Sequence, residues 1–409
     1  MKKSFLNLKY RPIYSSEIIA IYYVESKLPL IQAAVEIAKE SSIGTWTELT
    51  TVTQKIFNRL APQIFYLNNK TKIIKIAYPL ELFEMSNLPQ LLSGLAGNIF
   101  SMKIVKNLRL MDLDFPDKYL ESYAGPALGI SGIRKILQIY NRPIIGSIIK
   151  PKVGLTASEQ AQLTYTIWKN GVDLVKDDEN LTSLNFNKFS ERVKKILFLK
   201  RKVEKETGQK KVYVFNITAP SDLMLKRAKL VKKMGGNCVM IDIVSTGLDN
   251  VQYLRRFNLG LIIHGHRAGH SMFTRNPYHG MSMLVLAKLA RLAGIDQLHT
   301  GTVVGKMEGG AEEVIRINNF LKDPWDNLKP VLPIASGGLH PALVPELVKI
   351  LGQDLVINFG GGLHGHPDGS AAGARACYAA VAAVMARRTL KNYSLKSPEL
   401  KQALEHWGR

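Results

Sequence analysis

A chain of 409 residues is too long for one small core and sets an expectation of one to three domains. Hydrophobic and charged contents of 46% and 22% are those of an ordinary globular protein, and no apolar run reaches the length that would span a bilayer. The net charge of +22 raises nucleic-acid binding, but the lysines are scattered along the whole chain and the aromatics are not interleaved with them. Neither nucleic acid nor membrane is therefore expected as a partner; the charge suits approach of an anionic substrate.

The first residues, MKKSFLNLKYRPIY, lack a continuous apolar core and a small-residue cleavage site, so no signal peptide is expected. Cys238 and Cys377 lie far apart in apolar segments, which suits a reducing cytoplasm better than a disulfide framework. Residues 18–24 (IIAIYYV) and 73–78 (IIKIAY) read as strands, and 30–39 and 85–97 as helices. No strand is followed by a parallel partner. The simplest reading of residues 1–125 is a small α+β domain, a mostly antiparallel sheet covered by helices. Two stretches in it lack regular pattern, 40–46 (ESSIGTW) and Gly97-Asn98. On local grounds they cap helices and turn the chain.

From residue 126 to 409 the rhythm changes. Short apolar runs recur at 143–150, 172–178, 212–218, 239–244, 261–266, 297–300, 331–336 and 355–359. Amphipathic stretches such as 157–170, 222–233, 282–293 and 341–351 lie between them. Strand and helix alternate eight times, which predicts an α/β fold of the (β/α)8 TIM-barrel type. A doubly wound open sheet is the competitor, but no dinucleotide-type glycine fingerprint follows the first strand.

Barrel chemistry gathers where the strands end. The stretch 171–180, GVDLVKDDEN, passes abruptly from apolar residues to a lysine and three acids. Alternation puts Leu174, Lys176 and Asp178 on one face and Val175 and Asp177 on the other, with Glu179 at the rim. Asp178 and Glu179 are the usual minimum for holding Mg2+; a surface salt-bridge cluster is the plainer alternative. The other strand ends carry Lys150 and Lys152, Asn216, Asp242, His266 and Arg267, His299, Ser336-Gly337-Gly338 and Gly360-Gly361-Gly362. Each alone is an ordinary turn or solvated side chain; their common rim is the signal. Glycine turns after the last two strands suit phosphate. Arg267, His299 and a loop lysine could hold a second anion, which points to a phosphorylated substrate. Lys150, Lys152 and His266 are candidate acid–base groups. Lys306, in a glycine-flanked loop, resembles part of a lid. Lys176 cannot bind metal as an ammonium, but a carbamate formed from its neutral amine and carbon dioxide could.

At this point the motifs GSIIKPKVGL (146–155), GVDLVKDDEN (171–180), HGHRAGH (264–270), HTGTVVGKMEG (299–309), ASGGLH (335–340) and NFGGGLHGHPDG (358–369) are taken together with ESSIGTWTEL (40–49) and LAGNIF (95–100). The chain resembles the ribulose-1,5-bisphosphate carboxylase/oxygenase (RuBisCO) large subunit over nearly its whole length, most of all the archaeal-type form III branch. The resemblance implies Mg2+-dependent carboxylation of ribulose 1,5-bisphosphate to 3-phosphoglycerate, with competing oxygenation and a place in salvage of nucleotide ribose such as that of AMP. It implies a carbamate on Lys176 that ligates one Mg2+ with Asp178 and Glu179, proton transfer by Lys150 and Lys152, and His266 acting at the substrate hydroxyls. Arg267, His299 and Ser336 would bind the bisphosphate, with backbone contacts from Gly337, Gly338, Gly360 and Gly361, and Lys306 would stabilise the carboxylated intermediate. Glu40, Thr45, Trp46 and Asn98 would reach into the barrel of a partner subunit, which implies a homodimer with shared active sites, open to further association of dimers, and replaces the local reading of those loops. Departures are Ile148 where many members have threonine, Gly269 in place of a usual methionine, and short terminal extensions. The competing reading is a RuBisCO-like enolase or isomerase of a sulfur-containing sugar phosphate. Such relatives lose several of these groups, and Lys150, Asn98, His299 and Lys306 are retained.

Overall fold

The computed structural model describes residues 4–305 and 310–408. Along these the strands are β1 (Glu17–Ser26), β2 (Gln63–Asn68), β3 (Ile73–Pro79), β4 (Val105–Asp114), β5 (Ile144–Ile148), β6 (Leu174–Lys176), β7 (Val212–Asn216), β8 (Cys238–Asp242), β9 (Ile262–His266), β10 (Gly280–Met281), β11 (Gln297–Gly301), β12 (Leu332–Ser336) and β13 (Val356–Phe359). They fall into two compact units. One gathers Met1–Ala124, Gly269–Ala293 and Asp326–Leu328; the other gathers Gly125–Ala268, Gly294–Trp325 and Lys329–Arg409.

The first unit is built on a five-stranded sheet in the order β10-β4-β1-β3-β2. Strand β1 runs antiparallel to both β3 and β4, β2 antiparallel to β3, and β10 parallel to β4. Ile18, Ala20, Tyr22 and Val24 alternate along β1 and are buried. The helix Leu30–Glu40 buries Ala33, Ala34, Ile37 and Ala38, the three- and four-residue spacing of one helix face. Tyr22 donates its hydroxyl to the Leu95 carbonyl at 2.8 Å, so a buried phenol is satisfied by the helix Leu88–Ala96. Strands β2 and β4 were not evident as apolar runs. In β4 the apolar positions are interrupted by Arg109 and Asp112, both buried. The ammonium of Lys288, on the helix Met283–Ala293, lies 2.7 Å from Asp112 Oδ1 and donates to the Leu113 carbonyl at 2.6 Å. This ion pair adds a polar tie between the strand and an otherwise apolar, buried helix.

The second unit is a closed parallel barrel in the order β11-β12-β13-β5-β6-β7-β8-β9, sealed by pairing of β11 with β9. All eight predicted barrel strands are present. Ile144, Leu174, Val212, Val214, Cys238, Met240, Ile262, Leu332, Ile334 and Val356 point into it as one apolar core, joined by Ile133 and Leu137 from the helix Gly129–Leu137. Strand β11 adds no residue to that core. Its inward positions are Gln297 and His299, paired in register with Leu332 and Ile334 of the neighbouring strand. The barrel interior therefore passes from aliphatic to polar on the side where β9 and β11 meet. Outside it, the helix Ala157–Lys169 starts at a capping box in which Thr156 and Glu159 satisfy each other's backbone N–H groups.

Candidate active site

Strand β6 supplies the centre. Leu174 and Lys176 face the barrel axis, as does Val214, the register partner of Lys176. Asp177 turns the other way. Arg192 Nε lies 3.1 Å from Asp177 Oδ1, Tyr213 donates its hydroxyl at 2.6 Å, and the Asn216 N–H donates at 2.8 Å. All of these partners are buried, so Asp177 holds β6 against the helix Phe189–Thr207. Its ion pair is wholly buried, so it is not the surface salt bridge of the plainer reading.

Asp178 and Glu179 face the mouth. Asp178 Oδ2 lies 3.1 Å from Lys150 Nζ, while its Oδ1 accepts from the Asn180 N–H at 3.1 Å and from the Asn180 amide at 3.0 Å. Burial opposes its charge, but these hydrogen bonds outweigh burial and hold the carboxyl below its usual range. Glu179 is fixed by its backbone, since Asn216 donates to the Glu179 carbonyl at 2.9 Å. Around its carboxylate stand Lys176 Nζ at 4.0 Å, Lys152 Nζ at 4.0 Å and His266 Nε2 at 3.7 Å. Glu179 Oε2 is nevertheless buried without a hydrogen-bond partner among the described residues. Lys176 is wholly buried and donates to the Asp177 carbonyl at 2.9 Å. Burial pushes its ammonium down to about 8, against the pull of Glu179 and Asp178. His266 also faces Asp242, 3.8 Å from its Nδ1; burial lowers it, with Asp242 opposing.

A second group lies where β9, β11 and β12 meet. His264 Nδ1 is 2.8 Å from Gln297 Oε1, His264 Nε2 is 2.8 Å from His299 Nε2, and His299 Nδ1 is 2.8 Å from Ser336 Oγ. Burial drives both histidines well below their ordinary value, so both rings are neutral. Arg267 is pushed down to about 10 by burial, with Glu313 opposing. Room for its guanidinium exists because residue 301 is glycine: a Cβ there would sit 2.7 Å from Arg267 Nη2, and its φ of +92° is one that side chains rarely adopt. Gly337 and Gly338, at φ of +108° and +65°, turn the chain after β12, and the would-be Cβ of Gly305 lies 3.7 and 3.8 Å from their carbonyls. Gly360 packs on Ile148 and Lys150, its would-be Cβ 3.3 and 3.7 Å away, and Gly361 opens the short helix Gly361–His364.

Lys150, Lys152, Lys176, Asp178, Glu179 and His266 are thus drawn together, and Arg267, His299 and Ser336 stand on strand ends of the same barrel. Lys306 lies outside the described residues. Glu40, Thr45, Trp46 and Asn98 belong to the first unit. There Asn98 donates to Glu40 Oε1 at 3.4 Å, and a cavity of about 970 Å³ is lined by Leu28, Ile31, Glu40, Trp46 and Asn98, among others. Trp46 is 87% exposed. Thr45 lines a separate cavity of about 400 Å³. Sequence reasoning assigned no role to His264 or Gln297. The signal was available: both fall on inward-facing positions of barrel strands, where a polar residue needs a partner.

Among the described residues no three His, Cys, Asp or Glu side chains are grouped to hold a metal ion. The donor set suits a hard cation only in part: two carboxylates, one with a buried orphan oxygen, beside an amine.

Acids, lysines and paired histidines gather at the carboxyl ends of eight parallel strands, where enzymes built on such barrels carry their active sites. Two family models fit the chain. That described as "Ribulose bisphosphate carboxylase large chain, catalytic domain" matches residues 129–407, and its N-terminal companion matches residues 4–119. The chain belongs to the ribulose bisphosphate carboxylase large chain family. It is 49% identical to the ribulose bisphosphate carboxylase of Pyrococcus abyssi, over 99% of this chain and 96% of that one. It is 47% identical to the protein of the same name from Methanocaldococcus jannaschii, over 98% and 99%. Among solved structures it resembles the octameric Rubisco of Pyrococcus horikoshii, with a TM-score of 0.95 and 49% identity over 99% of this chain and 96% of that chain. It also resembles the dimeric archaeal Rubisco of Hyperthermus butylicus, with a TM-score of 0.93 and 41% identity over 99% and 98%.

Proposed function

We propose that the chain carboxylates ribulose 1,5-bisphosphate to 3-phosphoglycerate, with Mg2+ held by Asp178, Glu179 and a carbamate on Lys176. The observation that carries this is Lys176 itself, a buried amine pushed down to about 8 and set 4.0 Å from a glutamate oxygen that lacks a hydrogen bond. The ammonium first loses one proton; the neutral Nζ then adds to the carbon of carbon dioxide and releases a second, so that a cation becomes an anion. That change would complete an all-oxygen ligand set. Bound there, Mg2+ would polarise the substrate carbonyl and offset the charge of the enediolate.

The chain's own groups then divide the work. Lys150, 3.1 Å from Asp178, is placed to pass protons at the metal side, with Lys152 beside Glu179. His266, between Asp242 and Glu179, orients the substrate hydroxyls. Arg267 holds a phosphorylated end, together with backbone N–H groups of Gly337, Gly338, Gly360 and Gly361, and His299 and Ser336 act on the sugar part of the bisphosphate. Lys306, outside the described residues, is assigned to act on the carboxylated intermediate. Glu40, Thr45, Trp46 and Asn98 complete the site of a partner subunit, so the homodimer is the smallest active form and dimers can associate further. The likeness to dimeric and octameric archaeal Rubisco structures supports this. Competing oxygenation, salvage of nucleotide ribose such as that of AMP, and a cytoplasmic location belong to the same proposal, and the likeness to archaeal-type chains supports them.

Purified protein supplied with ribulose bisphosphate, Mg2+ and labelled bicarbonate should release labelled 3-phosphoglycerate. Failure to fix label, with turnover of a methylthio sugar phosphate instead, would replace this reading by that of a RuBisCO-like enolase.

A further inference from the structure

The chain of hydrogen bonds from Gln297 to Ser336 has a direction, and one amide sets it. His264 and His299 face each other through Nε2 at 2.8 Å. Two neutral imidazoles can do this only if one Nε2 carries a proton and the other is bare. The rings must therefore be in opposite tautomers. Which ring takes which tautomer is decided at the ends of the chain. At one end Gln297 presents Oε1, an acceptor, to His264 Nδ1 at 2.8 Å. His264 then carries its proton on Nδ1 and leaves Nε2 bare. His299 must donate from Nε2, which leaves its Nδ1 bare toward Ser336 Oγ at 2.8 Å. The Ser336 hydroxyl has to donate inward, and only its lone pairs remain for the mouth of the barrel.

We propose that Gln297 is a positioning residue that, through His264 and His299, fixes Ser336 as a hydrogen-bond acceptor, selective for a ligand group that donates, such as a sugar hydroxyl. Gln297 and His264 are fully buried and paired in register across β11 and β9, so neither can turn to solvent. Gln297 Nε2 has no hydrogen-bond partner among the described residues, so the amide's use here is its acceptor oxygen. Turning the amide over would reverse every bond in the chain and make Ser336 a donor, suited to a phosphate oxygen. The choice of substrate hydroxyl as ligand rests on the function proposed above; the direction of the chain does not.

Neutron diffraction from deuterium-exchanged crystals of the full, ligand-free chain reads that direction without any turnover. Deuterium is expected on His264 Nδ1, on His299 Nε2 and on Ser336 Oγ pointing at His299. Deuterium on His264 Nε2 or His299 Nδ1 overturns the proposal. Kinetics give the second arm. Gln297→Glu keeps an acceptor and should hold KM for ribulose bisphosphate within about twofold, whereas Gln297→Leu lets the chain run both ways and should raise KM roughly tenfold. Equal damage from both variants would make Gln297 a packing residue and overturn the proposal. If the wild-type protein does not turn over ribulose bisphosphate, the assigned function fails while the neutron result still stands on its own. Should Gln297→Leu not fold, the neutron measurement decides.

Discussion

Asp177 and Asp178 are adjacent in the chain and opposed in space: Asp177 Oδ1 lies 3.1 Å from Arg192 outside the barrel, and Asp178 Oδ2 lies 3.1 Å from Lys150 at its mouth. One is structural and the other is assigned to chemistry. The two can be separated by the same substitution.

Asp177→Asn should destabilise the fold by about 3–5 kcal/mol, because it leaves the guanidinium of Arg192 buried without its anion. Asp178→Asn should cost less stability, since its partner Lys150 is partly exposed and Asn180 can still donate to the remaining oxygen, and should abolish Mg2+-dependent carboxylation. Denaturant melts and the labelling assay on both variants check this. Equal loss of stability in the two would contradict the division.

Lys176 links pH to stability. Its folded value of about 8 lies below the ordinary 10.5. Below pH 8 both folded and unfolded chains hold the proton, and the folded state carries the cost of a buried cation. Between pH 8 and 10.5 the folded chain releases the proton first, so stability should climb with pH across that window. Lys176→Met should therefore be more stable than wild type near pH 7, on the order of 3 kcal/mol, lose the climb, and have no activity. Melts in carbon dioxide-free buffer across the window test it; an unchanged climb in the variant would assign it to another group.

Gly301→Ala should displace Arg267, since the added methyl meets Nη2 at 2.7 Å, and should also strain the backbone at φ of +92°. The expected result is a KM for the bisphosphate raised by roughly tenfold or more with a smaller change in kcat, as for loss of a charge-assisted contact. A variant with wild-type KM would remove Arg267 from the binding group.

Mixing subunits tests the shared site. Lys176→Met and Asn98→Ala chains should each be inactive, or nearly so, as homodimers. Denatured together and refolded at equal amounts, half the dimers would be hybrids with one intact site of two, so activity should return to about a quarter of wild type. No recovery would place Asn98 in its own subunit's site.

The barrel strands were legible because most are short apolar runs buried on both faces and bounded by helices with a 3.6-residue rhythm, and β11, QLHTG, was placed by its spacing among them. The candidate site at their ends was legible for a related reason, since charged residues directly after such runs gather at the barrel mouth unless, like Asp177, they find a buried partner outside it. Strand β4 was not, because Arg109 and Asp112 break its apolar pattern and find partners far along the chain, Asn276 and Lys288 among them. The Gln297–His264 pair was hidden for the same cause. Thirty-three positions separate its members, and only the register of β11 on β9 brings them together. Asp177 shows the reverse: strand alternation alone turned it away from Asp178.

The sheet of the first unit takes β10 as its edge strand on β4, and Lys288 as the counter-charge for Asp112, both from residues that follow five barrel strands in the chain. A ribosome must therefore have synthesised most of the barrel before that sheet can be finished. Until then the β4 edge is open and two buried charges, Arg109 and Asp112, lack part of their surroundings. Expressed alone, residues 1–124 would meet the solvent with that edge and those charges uncovered, so the N-terminal segment is a poor candidate for a free-standing module.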